Sequence, residues 1–123
     1  MHKIEMLASA IAQQEGFFSP GQTPPKTNKN PGDLRASPLP RKKSPGGFVQ
    51  FYSDTEGFMA LLTQLMLFAL RGMTLQQAIE TWAPPTGADG GNATQSYLDA
   101  TVRRTGIDPS TKLSDLFSFQ SIP

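Results

Sequence analysis

The sequence predicts a predominantly helical α+β domain, organised around one central buried helix, with a small β-hairpin near the N-terminus. Three observations predict it. Apolar residues recur at helical spacing in several separate stretches, and the longest runs from Phe58 to about Arg71. Residues 19–47 hold seven prolines (20, 24, 25, 31, 38, 40 and 45), which excludes continuous helix or central strand there. Helix-dominated content with one small segregated strand pair is the α+β pattern. At 123 residues the chain reads as a single domain, 1–123, large enough to bury a core without cross-links.

The elements follow in order. Ile4, Leu7, Ala8 and Ile11 place an amphipathic helix over residues 3–15, and Gly16 offers a left-handed stop. Residues 33–36 and 48–52 can pair as an irregular hairpin, with Gly46-Gly47 permitting the return. Ser53 and Glu56 have capping-box spacing, and Asp54 and Glu56 suit the positive end of the helix that follows. Phe58, Leu61, Leu62, Leu65, Phe68 and Ala69 form that helix's apolar stripe, which Gly72 closes. Thr74 caps a short helix through Leu75, Ala78, Ile79 and Trp82, stopped by Pro84-Pro85. A Gly- and Pro-rich loop spans 84–91. Thr94 or Asn92 caps a further helix carrying Tyr97, Leu98, Thr101 and Val102, ended by Gly106. A last short helix carries Leu113, Leu116 and Phe117.

Composition removes several kinds of chemistry. With no cysteine, disulfides, thiolate zinc sites and cysteine nucleophiles are excluded. His2 is the only histidine and stands beside the first residue, which disfavours a Ser-His triad and a histidine metal site. A net charge of +1 is too small to imply nucleic-acid binding, and the basic run Arg41-Lys42-Lys43 lacks interleaved aromatics. No secretory signal and no membrane-spanning stretch are legible, so the expectation is a soluble monomer made in the cytoplasm. The chemistry must then come from carboxylates, hydroxyls, Tyr, Lys or Arg.

Glu15 stands out among these. A carboxylate at a helix C-terminus faces the negative end of the dipole, which disfavours its charged form. If Phe17 and Phe18 also exclude water from it, both effects raise its pKa. A carboxylic acid that stays protonated near neutral pH is what glycosidic cleavage needs as general acid. Asn30-Pro31-Gly32-Asp33 is strong turn chemistry whatever its further role. Asp54 and Glu56 read as helix caps, and Trp82 as core.

Taken together, IAQQEGF (11–17), NPGDLR (30–35), GGFVQFYSDTEGFMALLTQL (46–65), TLQQAIETWAPP (74–85) and NATQSYLDATVRRTGI (92–107) resemble the small phage-type members of the lysozyme-like superfamily. These are peptidoglycan-cleaving lysozymes and lytic transglycosylases, virion-associated and prophage-encoded forms included. The resemblance covers residues 4–113. It implies a lysozyme-like helical domain with a cleft beside a small hairpin and carries the catalytic acid onto Glu15. It also implies substrate-binding positions at Asn30, Asp33, Arg35 and Tyr97, and neither metal nor organic cofactor. Similar sequences show Asn where this chain has Asp33, which leaves two roles open, a polar contact or a second carboxylate.

The expected activity is cleavage of the β-1,4 bond between N-acetylmuramic acid and N-acetylglucosamine, with glycan strands of the cell wall as partner. No second carboxylate stands out beside Glu15, which favours the lytic transglycosylase, a single-acid mechanism, over the hydrolytic lysozyme. The alternative is a non-catalytic lysozyme-like module that binds glycan in a virion or secretion machine. Nucleic acid is not an expected partner.

Overall fold

The computed structural model describes residues 2–85 and 90–117. Among them are five α-helices: α1 (Lys3–Gln14), α2 (Pro24–Thr27), α3 (Asp54–Leu70), α4 (Leu75–Trp82) and α5 (Asn92–Thr105). A 3₁₀ turn, Leu113–Leu116, takes the place of the short helix expected last. The protein is thus predominantly helical. Two compact units are formed. One is Ala8–Gln64; the other takes the described residues up to Leu7 and from Leu65 onward, so the division falls within α1 and α3. Among the described residues no helix is long and apolar enough to cross a membrane.

In the Ala8–Gln64 unit the core is made by Ala8, Ile11 and Ala12 of α1 with Val49, Phe51 and Leu61. The end of α1 is set by Gly16 at φ +92°. The Gly16 N–H donates to Gln13 O (3.1 Å) and the Phe17 N–H to Ala12 O (3.0 Å), the paired bonds of a Schellman cap. Helix α2 lies inside the proline-rich stretch where no helix was expected. Pro24 and Pro25 occupy its first turn, where a missing N–H costs nothing and a fixed φ helps. It ends on the same paired bonds, Lys29 N–H to Lys26 O (3.1 Å) and Asn30 N–H to Pro25 O (2.8 Å), with Lys29 itself at φ +51°.

The expected hairpin between 33–36 and 48–52 does not form. Among the described residues there is instead an isolated antiparallel bridge, Lys43 to Val49. Ser44 N–H donates to Phe48 O (2.7 Å) and Gln50 N–H to Lys42 O (2.8 Å) across it. The reason is the turn itself. Gly47 N–H closes onto Ser44 O (2.8 Å) around Pro45 and Gly46, and Gly47 follows at φ +87°. A tight loop returns the chain onto the residues just before it, 42–44, rather than onto 33–36. The earlier segment keeps one backbone bond, Val49 N–H to Leu34 O (2.9 Å).

The first turn of α3 lies against the backbone at 29–31. A Cβ on Gly57 would overlap the Lys29 carbonyl oxygen and stand 2.7 Å from Pro31 Cδ. Gly57→Ala is therefore expected to destabilise by about 1–3 kcal/mol or more through overpacking. That outweighs the gain of about 1 kcal/mol that alanine normally brings to a helix. Urea denaturation measures it, and a variant at least as stable as wild type would refute the close approach.

Along α3, Leu61, Leu65, Phe68 and Ala69 are buried, whereas Phe58 and Leu62 are half-buried. Met59, Leu67 and Leu70 are exposed, so the helix is buried along one face and not all round. Its N-terminus carries half of the expected capping box. The Glu56 N–H donates to Ser53 Oγ (3.1 Å), but the Glu56 carboxylate reaches back to the Tyr52 N–H (3.2 Å).

In the other unit, Gly72 at φ +76° ends α3, and the cap of α4 is complete. Thr74 Oγ1 accepts from Gln77 N–H (3.2 Å) while Gln77 Oε1 accepts from Thr74 N–H (2.9 Å). Leu75, Ala78, Ile79, Leu98, Leu113 and Leu116 are buried here. Trp82, half-buried at the edge of this core, packs edge-on to Phe68 with centroids 5.9 Å apart. Neither Thr94 nor Asn92 caps α5: Gly91, left-handed, precedes it, and Thr94 Oγ1 donates to Ala83 O (2.6 Å) instead. Gly106 at φ +70° ends that helix as expected. Of the loop expected at 84–91, residues 86–89 lie outside the described residues.

Candidate active site

Glu15 is the residue on which α1 terminates. Its N–H still donates to Ile11 O (2.9 Å), and the next residue is the left-handed Gly16 of the cap. The side chain is therefore held at the carbonyl end of a helix whose last turn contains no basic residue, and the residue is half-buried. The two phenylalanines after it behave differently from each other. Phe17 packs edge-on to Phe18 (5.2 Å) and to Phe58 of α3 (5.4 Å), while Phe18 remains 55% exposed. The loop beyond them is tied to α2. Thr23 Oγ1 donates to Gly16 O (2.8 Å), and Lys26 Nζ donates to Ser19 O and to Gly21 O (2.8 Å). Phe17, Lys26 and Asp54 line a hollow of about 270 Å³ there.

Asn30 is fully buried, and its side chain is bonded to backbone. Its Nδ2 donates to Leu34 O (2.9 Å) and Val49 O (2.9 Å), and its Oδ1 accepts from Leu34 N–H (2.8 Å). Three of the four bonds an amide can make are thus used internally. In this structure Asn30 supports the surrounding backbone and presents no surface to a ligand.

Asp33 follows directly. Its N–H donates to Asn30 O (3.0 Å), closing a turn over Pro31-Gly32, and it stands at φ +53°. Aspartate is among the few non-glycine residues that tolerate this region. One carboxylate oxygen, Oδ1, is buried without a hydrogen-bond partner. Burial pushes the Asp33 pKa above 3.8, and the nearby Arg35 charge pulls it partly back. A raised acid pKa means the folded state holds its proton more firmly than the unfolded chain. The native state therefore loses stability as pH rises from about the ordinary carboxylate value through the raised one. Asp33→Asn should remove that dependence and fit the left-handed position better, with a gain on the order of 1 kcal/mol at neutral pH. Thermal midpoints of the two proteins should separate at pH 7 and converge towards pH 3. Parallel curves would refute the desolvated carboxyl.

Arg35 is exposed but engaged. Its Nη1 donates to Gly46 O (3.2 Å), and its guanidinium carbon lies 4.2 Å from the Phe48 ring centroid. The cation thus caps the 44–48 turn. Tyr97 is buried on α5 at 7% exposure, in the other unit from Glu15, Asn30, Asp33 and Arg35.

Sequence reading missed the pairing of Arg41 with Glu56. Arg41 Nε and Nη2 both reach the Glu56 carboxylate, at 2.8 and 2.7 Å, and the guanidinium lies 3.9 Å from the Tyr52 ring centroid. The bidentate Arg41 bonds lower the Glu56 pKa from 4.5 to about 2. Arg41 therefore straps the proline-rich segment to the start of α3 and leaves the basic surface run to Lys42 and Lys43.

Comparison with known proteins finds no matching family model, no matching curated protein and no matching solved structure. Among the described residues no three His, Cys, Asp or Glu side chains gather in a way that could hold a metal ion.

Proposed function

We propose that this protein is a lysozyme-like enzyme that cleaves the β-1,4 bond between N-acetylmuramic acid and N-acetylglucosamine in peptidoglycan, with Glu15 as general acid. The observation that carries the reading is the position of Glu15. It is the half-buried residue that follows the first helix, at the negative end of the dipole, with its backbone fixed by the Gly16 cap. The ordered fragments that resemble phage-type lysozyme-like enzymes support the same assignment.

In this reading Glu15 protonates the glycosidic oxygen as the bond breaks through an oxocarbenium-like state. The state of Asp33 favours the single-acid course. Its charged form is disfavoured by burial, and one of its oxygens is enclosed, which makes it a poor stabiliser of a nearby cation. Glu15, now ionised, takes the proton of the sugar 6-hydroxyl, and the 6-oxygen closes on the anomeric carbon to give a 1,6-anhydro end.

Mass spectrometry of digested, purified peptidoglycan tests both parts. Anhydro ends are the expected product. Reducing ends would assign a hydrolase with another group positioning water. Absence of any cleavage would leave a non-catalytic glycan-binding module.

A further inference from the structure

Helix α3 is apolar on the side it turns to solvent as well as on the side it buries. From Gly57 to Leu70 it carries no charged residue. Met59, Leu67 and Leu70 are 58%, 43% and 76% exposed, and Leu62 and Met66 are half-buried beside them. Thr63, also exposed, donates its hydroxyl to Met59 O (2.9 Å), so that donor is spent within the helix. Met59, Thr63, Met66 and Leu70 follow one another at steps of four, three and four, the spacing of a seam between two helices. Apolar stripes of this kind are ordinarily covered.

The charges at its two ends point to what covers it. Glu56 and Arg71 stand fifteen positions apart, which at about 100° per residue puts them within about 60° of each other, on the flank of the stripe that also holds Leu67. When two copies of one helix pack antiparallel, like flanks meet and opposite ends meet. Each Glu56 then faces the partner's Arg71, with the two-fold axis passing between Thr63 and Gln64. A parallel pair would instead set like charges against each other. Glu56 Oε2 accepts from Arg41 Nη2 (2.7 Å) and has capacity for a second donor. Arg71 is exposed, lies 5.9 Å from its own Phe68 ring and has no carboxylate within 4.0 Å among the described residues. A lipid surface fits less well. Interfacial helices flank their apolar face with several Lys and Arg, whereas α3 opens on Asp54 and Glu56 and has Arg71 alone just beyond its end.

We propose that a second copy of this chain docks on the outer face of α3, the two helices antiparallel about an axis between Thr63 and Gln64. Met59, Met66, Leu67 and Leu70 form the seam, and Glu56–Arg71 pairs close its two ends. The interface goes beyond the enzymatic reading and does not depend on it. The stripe is about 25 Å long, at 1.5 Å per residue, and one helix wide. That is small beside the roughly 800 Å² per partner of a standard interface, so the dimer is weak, with a Kd on the order of micromolar. The monomer expected from the sequence is its dilute form.

Sedimentation equilibrium of the full chain from about 5 to about 500 µM spans that range and should show monomer passing into dimer. Leu70→Lys and Met59→Lys, both at exposed positions, should each weaken association at least tenfold with an unchanged circular dichroism spectrum. The absence of cysteine lets orientation be read directly. A short bismaleimide cross-linker should join two copies of Thr63→Cys, because the axis brings those positions together. It should not join Thr55→Cys, whose two positions lie about 25 Å apart along an antiparallel pair. A monomer at every concentration, association indifferent to both lysine variants, or cross-linking of Thr55→Cys as fast as Thr63→Cys would each overturn the proposal. Anionic phospholipid vesicles that bind the wild-type protein but not Leu70→Lys, with no dimer in solution, would overturn it in favour of a lipid surface.

Discussion

Glu15→Gln is expected to abolish peptidoglycan cleavage while leaving the fold intact. The amide has nearly the size of the carboxyl but no proton to give, so the leaving oxygen departs unprotonated. One general acid or base commonly contributes about 10²–10⁴-fold. In the proposed mechanism the same group serves as acid and then base, which puts the expected loss at the upper end of that range or beyond it. Stability should hold, because the amide keeps nearly the size of the carboxyl at the residue before the Gly16 cap. Loss of activity with stability unchanged separates a chemical role from a structural one. Release of soluble fragments from peptidoglycan, with a parallel thermal melt, measures both. Activity within tenfold of wild type would remove Glu15 from the mechanism.

What the sequence made legible was mostly local. Helix ends were readable because glycine at +φ and a capping threonine act within a few residues, as at Gly16, Gly72, Gly106 and Thr74; the reciprocal Gln77 half of the Thr74 box was not read. The buried face of α3 was readable from its period, although Leu62 sits at the edge of the face that Leu61 and Leu65 bury. Helix α2 is illegible because proline breaks helices in general, whereas at the first turn its two prolines start one. The hairpin register is hidden for a similar reason. Gly46-Gly47 permits a return, but so tight a loop reaches only the residues just before it.

Long-range pairings were not legible. Nothing in the spacing of Arg41 and Glu56, fifteen positions apart, marks a bidentate ion pair over the Tyr52 ring. Lone polar residues in loops were equally opaque. Asn30 drew attention as turn chemistry and as a position implied by resemblance, yet the structure spends its amide on backbone.

Asn30→Ala is accordingly expected to act on the fold. The substitution strips hydrogen bonds from the Leu34 N–H and the Leu34 and Val49 carbonyls in the interior of the Ala8–Gln64 unit. Leu34 O keeps the Val49 N–H as a donor, so two groups lose a bond that nothing else replaces. An unsatisfied buried group costs about 1–3 kcal/mol. Two of them, with the small void left by the amide, amount to about 3–5 kcal/mol. Against a typical total of about 5–15 kcal/mol, that is enough to lower the population of folded protein markedly. Asn30→Asp separates this account from a role in binding. Its Oδ1 can still accept from Leu34 N–H, but a second carboxylate oxygen then faces two carbonyls that need a donor. It should be as destabilising as alanine at neutral pH and partly recover as the pH falls and the carboxyl is protonated. Urea denaturation at pH 7 and pH 4 reads both variants. A change in glycan affinity without a change in stability would return Asn30 to the ligand-binding surface.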